Sequence, residues 1–368
     1  MPPRLTALAA SLPATVPFVG PETQERARGV PFRARIGANE SGFGPAPSVV
    51  DAIARAAPEA WKYCDPENHD LRQALAAHLG VRADNVAIGE GIDGLLGLVV
   101  RLWAEPGAAI VSSLGAYPTF NYHVAGFGAR LVTVPYRDDR EDLDALADAA
   151  RREDAAIVYL ANPDNPMGTW WDAAEIVRFI DRLPETTMLV LDEAYGETAP
   201  AQTLPPLDTD RPNVLRMRTF SKAYGLAGLR CGYAIGEAEA VRCFDKVRNH
   251  FGVNRLAQVA ALAALSDQEH LRAVVGRVAD ARERIAAIAR ANGLSPLPSA
   301  TNFVTMDCGA DAAFAMKVLQ ELVARDVFVR RPMAPGLDRC IRVSAGPEAD
   351  MAILEAELPR ALAAARAG

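Results

Sequence analysis

The sequence is poor in cysteine, and the few cysteines that it has are far apart. Cys64, Cys231, Cys243, Cys308 and Cys340 are spread over 368 residues and include no C-x-x-C pair. This spacing argues against a disulfide framework and offers no zinc-ligand pattern. It is typical of a protein kept in a reducing compartment, and we expect the cytoplasm.

The chain also lacks an excess of positive charge and a long apolar run. Its formal net charge is −7, so we do not expect a nucleic-acid partner. No segment approaches the roughly 18 consecutive apolar residues that cross a bilayer, so we expect no membrane association. The first residues are a weak match to a signal peptide, which is the less favoured alternative to a cytoplasmic protein. Half of the residues are hydrophobic, enough for two domains of ordinary size.

Lysine is scarce, with four lysines against 35 arginines. One of them, Lys222, follows a β-type run over residues 214–220 and precedes Gly225 and Gly228. Glycines at such positions let a backbone approach a ligand closely. A primary amine condenses with a carbonyl group, whereas a guanidinium does not. The pattern therefore predicts that Lys222 is a reactive residue.

Two apolar strand patterns each end in polar residues. Residues 188–191 precede Asp192, with Tyr195 three residues later, and residues 156–160 precede the segment Asn162-Pro-Asp-Asn165-Pro. Open α/β sheets bind ligands at the carboxyl ends of their strands, and the two Asn-Pro pairs predict a rigid turn that presents an amide. The structural alternatives are a helix-capping aspartate in the first segment and a plain loop in the second.

A glycine-rich segment, Gly89-x-Gly91-x-x-Gly94, opens a helical pattern after a short strand. It matches a dinucleotide-binding fingerprint, but no acidic residue lies about 20 positions downstream to hold a ribose. The free N–H groups of such a helix start bind a single phosphate equally well. We assign a phosphate to the backbone around Gly91, Ile92 and Asp93.

Short apolar strands alternate with helical patterns from residue 46 to 235, which predicts a mainly parallel sheet covered on both faces. Beyond Asn254, alanine-rich helices such as residues 268–291, a few strands and a last helix from Glu348 predict a smaller α+β domain. We expect an extended N-terminal arm (1–40) that packs with the small domain, a large domain (41–260) and a small domain (261–368).

In their order along the chain, these motifs resemble those of fold-type I pyridoxal 5′-phosphate (PLP) enzymes, specifically aminotransferases related to histidinol-phosphate aminotransferase. The similarity covers nearly the whole chain and runs through residues 38–40, Tyr63, 89–93, 117–120, 162–168, 192–195, 221–230 and Arg342. The resemblance implies an α/β fold with a mainly parallel seven-stranded sheet in a large PLP-binding domain, plus a smaller α+β domain.

The resemblance also implies a role for each matched residue. Lys222 holds PLP and moves the proton, Asp192 pairs with the ring nitrogen, and Asn165 and Tyr195 reach the ring oxygen. Phe120 stacks on the ring, while the cofactor phosphate is bound by Gly91, Ile92, Asp93, Ser221 and Arg230. Tyr63 reaches the phosphate of the neighbouring subunit, which implies a homodimer with shared sites. Substrate contacts are expected from Arg342, Phe18, Asn39 and Arg330. No metal is expected.

The activity implied is transfer of an amino group between a small-molecule donor and a 2-oxo acid, with histidinol phosphate and 2-oxoglutarate as the leading pair. Phe18, in the segment after Val16 and Pro17, stands where the family has a tyrosine, and Ile92 and Gly94 replace a serine and a glutamate. The lost hydroxyl at position 18 favours an aromatic amino acid aminotransferase as the alternative. A PLP-dependent amino-acid phosphate decarboxylase on the same scaffold is a further alternative.

Overall fold

A computed structural model describes residues 3–14 and 18–367. Val16 and Pro17, part of the predicted substrate segment, lie outside the described residues. The helices are α1 (Ala7–Ser11), α2 (Pro21–Arg28), α3 (Pro47–Ala56), α4 (His69–Leu79), α5 (Gly91–Trp103), α6 (Pro118–Gly126), α7 (Leu143–Arg152), α8 (Ala173–Arg182), α9 (Ala238–Cys243), α10 (Arg255–Ser266), α11 (Gln268–Ala291), α12 (Ala312–Ala324) and α13 (Glu348–Ala367).

The strands are β1 (Ala34–Arg35), β2 (Val86–Gly89), β3 (Ala109–Ser113), β4 (Arg130–Val134), β5 (Ile157–Ala161), β6 (Met188–Asp192), β7 (Val214–Thr219), β8 (Gly232–Ile235), β9 (Ser295–Pro296), β10 (Phe303–Asp307), β11 (Val327–Phe328) and β12 (Cys340–Ser344). Single 3₁₀ turns occur at Ala57–Glu59, Ala83–Asn85, Gly196–Thr198, Ala227–Leu229 and Phe244–Lys246.

In the described ranges, seven strands form the central sheet in the order β2-β8-β7-β6-β5-β3-β4. Only β8 runs against its two neighbours, and the other pairs are parallel. The predicted mainly parallel seven-stranded sheet is therefore confirmed. In its register Ala161 pairs with Asp192, and Asp192 pairs with Met217. The parallel register thus brings the carboxyl ends of β5, β6 and β7 to one edge, where the site lies.

Both faces of this sheet are covered, as near-continuous apolar strands require. Val190 belongs to an apolar cluster with Leu95 of α5. Its neighbours Leu189 and Leu191 belong to a second cluster with Leu146 of α7. Successive side chains of a strand point to opposite faces, so β6 is buried from both sides and its end is held rigidly.

The C-terminal part of the chain has its own apolar core, formed by α11, α12, α13 and the antiparallel strands β9, β10 and β12. The N-terminal segment joins this core, because β1 pairs with β11 and Ile36 is buried in it. Helix α10 packs against α3 and α4 and runs past residue 260. The domain boundaries at residues 40 and 260 stay a prediction.

The N-terminal arm contains two helices, so the expectation of an extended arm is wrong over α1 and α2. The proline and glycine content suggested extended chain, but in α2 these residues stand at the ends of the helix. Pro21 occupies its first turn and Gly29 closes it with φ 75°, the positions that favour these two residues. None of the helices formed by residues 3–14 and 18–367 is long and apolar enough to cross a membrane.

Candidate active site

A cavity of about 240 Å³ lies at the carboxyl ends of β5, β6 and β7. Most of the residues that the sequence singled out surround it, among them Asn165, Asp192, Tyr195, Ser221, Lys222 and Arg230. The strand ends supply the carboxylate and the amide, and the loop after β7 supplies the lysine. The sheet register therefore brings together residues that are 57 positions apart in sequence, Asn165 and Lys222, as expected for an open α/β sheet.

Lys222 points into this cavity and donates a hydrogen bond of 3.0 Å to the backbone carbonyl of Asn39. Asn39 has a φ of 57°, in the left-handed region that asparagine tolerates better than most residues. Burial, together with the positive charges of Arg342 and Arg230, lowers the pKa of Lys222 from 10.5 to about 8. The amine therefore loses its proton more readily than an ordinary lysine, as a nucleophile requires.

The pKa of Lys222 can be measured in the cofactor-free protein, and we expect its midpoint near 8. Reductive methylation with ¹³C-formaldehyde makes each lysine visible by NMR, and the Lys222 resonance is the one that is missing in Lys222→Arg. It should titrate at a lower pH than an ordinary lysine, because burial disfavours the charged amine. A midpoint at the ordinary lysine value of 10.5 would contradict this prediction.

Asp192 is buried at the end of β6 and accepts two hydrogen bonds. The Tyr159 hydroxyl donates to Oδ2 at 2.7 Å, and the Ala194 backbone N–H donates to Oδ1 at 2.9 Å. Burial raises the pKa of Asp192 to about 6, against the hydrogen bonds from Tyr159 and Ala194, which lower it. The carboxylate is thus mostly ionised at neutral pH and can hold a proton on a neighbouring base.

A group of hydrogen-bond donors, named the anion cup for the ligand that it suits, lies where α5 begins at Gly91. Arg230 reaches over this helix start and donates to the Ala227 carbonyl at 2.8 Å and to Ser221 Oγ at 3.3 Å. Thr219 donates to Ser221 Oγ at 2.9 Å. Backbone N–H groups, hydroxyls and a guanidinium together match the geometry and charge of a phosphate dianion.

Gly91 is required at this helix start. Its φ is 74°, and a Cβ placed on it would lie 2.5 Å from Arg230 Nη2. We expect Gly91→Ala to lower the free energy of unfolding by about 2 kcal/mol, because alanine is strained at this φ and Arg230 has to move aside. The matched control is Gly228→Ala, where a Cβ would meet nothing within 4 Å. Urea unfolding of both variants gives the comparison, and an equal loss in the two would contradict the explanation.

Arg342 approaches the cavity from β12 and binds the predicted amide. Its Nη1 donates to Asn165 Oδ1 at 2.5 Å, which leaves the NH₂ group of Asn165 for a ligand. Burial lowers the pKa of Arg342 to about 10. In the part of the chain that is described, its Nε is buried without a hydrogen-bond partner. A buried arginine with a free donor is a candidate site for a substrate anion.

Asn39 and Tyr195 link the N-terminal segment to the cavity. The Asn39 side-chain NH₂ donates to the Tyr195 hydroxyl at 3.0 Å, and the Asn39 backbone N–H donates to Ser344 Oγ at 3.0 Å. Asn39 therefore contacts Lys222, Tyr195 and β12 at once. Arg330 lies 4.3 Å over the ring of Phe18, which lines the cavity, and donates to the Val19 carbonyl at 2.8 Å.

Two predicted cofactor residues are not brought to the cavity of their own chain. Phe120 does not line it; the ring is fully buried and stacks on Tyr159, with centroids 4.6 Å apart. Tyr117 lines the cavity in its place. The hydrophobicity of Phe120 decides this, because a fully apolar ring gains more from burial than a tyrosine does. Tyr63 is 79% exposed and contacts Phe251.

Sequence reasoning missed Tyr117, Tyr159 and Thr219, which all line the cavity. Tyr159 carried a usable signal, because it is the one residue with a polar tip in the apolar strand Ile157–Ala161. A buried tyrosine hydroxyl needs a partner, and the strand next to it in the sequence ends in Asp192. Tyr117 belongs to the matched segment 117–120, within which the aromatic contact was predicted for Phe120.

These residues fit the cofactor that the sequence resemblance implies. The anion cup provides donors for a phosphate, Asp192 provides a carboxylate for a ring nitrogen, and Asn165 and Tyr195 provide groups for a ring oxygen. Lys222 lines the same cavity. Among the residues that the structure describes, no cluster of histidine, cysteine, aspartate or glutamate side chains suits a metal ion.

Comparison with known proteins agrees with this geometry. The model of the family aminotransferase class I and II matches residues 35–358. Histidinol-phosphate aminotransferase 1 of Mesorhizobium japonicum is 36% identical over 89% of this chain and 90% of its own. The aromatic amino acid aminotransferase of Thermobifida fusca is 39% identical over 84% of this chain and 86% of its own.

The structural relatives point the same way. The crystal structure of histidinol-phosphate aminotransferase from Sinorhizobium meliloti, solved in complex with pyridoxal 5′-phosphate, superposes with a TM-score of 0.96. Its sequence is 59% identical, and the match covers 98% of both chains.

Proposed function

Because this chain belongs to the class I and II aminotransferases, we propose that it binds PLP at Lys222 and transfers the amino group of histidinol phosphate to 2-oxoglutarate. Membership rests on the match over residues 35–358 and confirms the resemblance seen in the sequence. The observation that carries the proposal is the amine of Lys222 in one cavity with Asp192 and the anion cup around Arg230.

Bound PLP supplies an electron sink that stabilises the charge left on the substrate Cα when its C–H bond breaks. The residues of this chain supply the rest. Lys222 holds the cofactor and, once released, accepts the Cα proton and returns it, a task suited to an amine with a pKa of about 8. Arg342 holds the anionic end of the substrate, which orients the Cα–H bond toward the lysine.

The remaining side chains hold the cofactor in place. Asp192 keeps the ring nitrogen protonated, since an ionised carboxylate favours a positive neighbour. Asn165, through its free NH₂, and Tyr195 bind the ring oxygen. The helix start at Gly91, with Ser221 and Arg230, binds the phosphate. Tyr117 supplies the aromatic wall that the sequence analysis had assigned to Phe120.

Histidinol phosphate is favoured as the donor by the names of the relatives from Mesorhizobium japonicum and Sinorhizobium meliloti. Arg330 supports a phosphorylated substrate, because its guanidinium lies over the ring of Phe18, and Phe18 lines the cavity. The same phenylalanine supports the second candidate, an aromatic amino acid donor. That activity is the name of the Thermobifida fusca relative, and a ring without a hydroxyl suits an apolar side chain.

The test is a comparison of donors with the purified PLP-loaded enzyme and 2-oxoglutarate. We expect kcat/KM for histidinol phosphate to exceed that for phenylalanine or tyrosine by about 100-fold or more, because a site built for a phosphate is left with unpaired buried charges by other substrates. A preference for the aromatic amino acids would transfer the assignment to the second candidate. Release of carbon dioxide from one of the amino acids, without formation of glutamate, would instead indicate a decarboxylase.

The enzyme is further proposed to be a cytoplasmic homodimer with shared sites. Trp61 and Tyr63 are each 79% exposed, and Phe251, which contacts Tyr63, is 48% exposed. A cluster of exposed aromatic rings is typical of a protein interface. In this arrangement Tyr63 contacts the cofactor phosphate of the neighbouring subunit. Sedimentation of the wild type and of Tyr63→Ala tests the assembly, and a monomeric wild type with full activity would overturn it.

A further inference from the structure

Tyr159 is a buried residue that lines the cavity. Neither the sequence motifs nor the family resemblance gives it a role. Its hydroxyl donates to Asp192 Oδ2 at 2.7 Å. We propose that Tyr159 is a positioning residue that keeps Asp192 ionised, so that the proton shared with the ring nitrogen of PLP stays on the nitrogen. This inference rests on the proposed function.

Asp192 needs such a partner because its surroundings oppose a negative charge. The side chain is 6% exposed. Burial raises its pKa, and the charge of the neighbouring Glu193 raises it further, while the charge of Lys222 lowers it. A carboxylate in this position competes with a weakly basic ring nitrogen for one proton. Hydrogen bonds donated to the charged form favour that form, and Asp192 accepts only two in the described structure, from Tyr159 and Ala194.

Tyr159 is held firmly in the position that this role requires. The side chain is fully buried in β5, and its ring stacks on Phe120 with an angle of 19° between the planes. Parallel pairing of β5 with β6 places Tyr159 beside Val190, two residues before the pair Ala161 and Asp192. Burial raises the pKa of the Tyr159 hydroxyl well above its usual value, so it remains a donor. Phe120 thus acts indirectly, because it packs against the ring of Tyr159 and holds that ring in position.

The experiment uses the loaded enzyme with PLP labelled with ¹⁵N in the ring, and records the ¹⁵N chemical shift at neutral pH. The wild type should show the position of a protonated ring nitrogen. In Tyr159→Phe, one charge-assisted hydrogen bond is lost, which moves the proton equilibrium by about tenfold toward the carboxylate. The resonance should therefore move toward the unprotonated position, and kcat should fall while KM changes little.

Two further variants separate this role from a merely structural one. Tyr136→Phe removes a similar bond, since Tyr136 donates to Asp164 at 2.8 Å; it should leave the ¹⁵N resonance where the wild type has it. Replacing Tyr159 with 4-aminophenylalanine keeps a weaker donor at the same place and should give an intermediate shift. If Tyr159→Phe does not fold, the ¹⁵N resonance of the 4-aminophenylalanine variant tests the role of Tyr159 instead.

The outcomes distinguish this inference from the proposed function. A wild type with a protonated ring nitrogen and Tyr159 variants with the same resonance would overturn the role of Tyr159 alone. A shift of equal size in Tyr136→Phe would also overturn it, because the effect would then be general. A wild type that binds no PLP would overturn the proposed function and this inference with it.

Discussion

Lys222→Arg is expected to lower kcat by on the order of 10⁴-fold or more, the scale seen when the central residue of a catalytic unit is removed. Arginine keeps the positive charge and much of the length. It neither condenses with a carbonyl group nor gives up its proton at neutral pH. Among the residues that line the described cavity, Lys222 is the only lysine, so no other amine can take its place.

The matched control is Lys317→Arg, the same substitution on an exposed face of α12, which should leave kcat unchanged. Thermal unfolding checks that both variants fold. Lys222→Ala adds a sharper test, because the space it leaves admits small primary amines such as ethylamine, which should restore part of the proton transfer. A Lys222→Arg enzyme that retains kcat to within about tenfold of the wild type, a difference of only 1.4 kcal/mol in the barrier, would contradict the assignment.

Asp192→Asn is expected to lower kcat by about 10³-fold with little change in KM. The amide keeps the shape of the carboxylate, and its oxygen can still accept the hydrogen bond from Tyr159. It carries no charge, so it cannot keep a proton on a ring nitrogen. A loss of about three pKa units of proton affinity at that nitrogen would account for a thousandfold effect. Steady-state kinetics measure it, and retention of PLP should also weaken.

The control is Glu197→Gln, the same exchange of acid for amide at a carboxyl group away from the cavity. Burial raises the pKa of Glu197 to about 7. Glu197 therefore resembles Asp192 in its raised pKa, but it does not line the cavity. It should change stability and leave kcat nearly unaltered. A full-speed Asp192→Asn enzyme would show that the carboxylate serves only the packing of β6.

Local sequence patterns predicted individual strands and helices of the fold. The strand Met188–Asp192 and the helix Gln268–Ala291 were recognisable because apolar runs and helical periodicity are properties of adjacent residues. A polar residue at the end of an apolar strand is equally local, so Asp192 and Asn165 could be selected. The parallel sheet then followed from the alternation of strands and helices.

Other contacts follow from the tertiary structure only. Tyr159 and Asp192 are 33 residues apart, Asn165 and Arg342 are 177 apart, and Asn39 and Lys222 are 183 apart. No local pattern carries such a pairing, because it depends on strand register and on how two parts of the chain pack. The same reason explains Phe120. Its place in the motif predicted that it lines the cavity, but it packs behind Tyr159, which lines the cavity instead.

The sequence of this protein was enough to predict the α/β fold, the reactive Lys222, the carboxylate of Asp192 and the anion cup at Gly91. Each of these features depends on a short segment with a recognisable physical pattern. The tertiary structure decided the proton affinities and the partners of these groups. Burial and neighbouring charges set the pKa of Lys222 near 8 and that of Asp192 near 6. Such effects depend on what surrounds a group in space, and distant segments of the chain provide those surroundings.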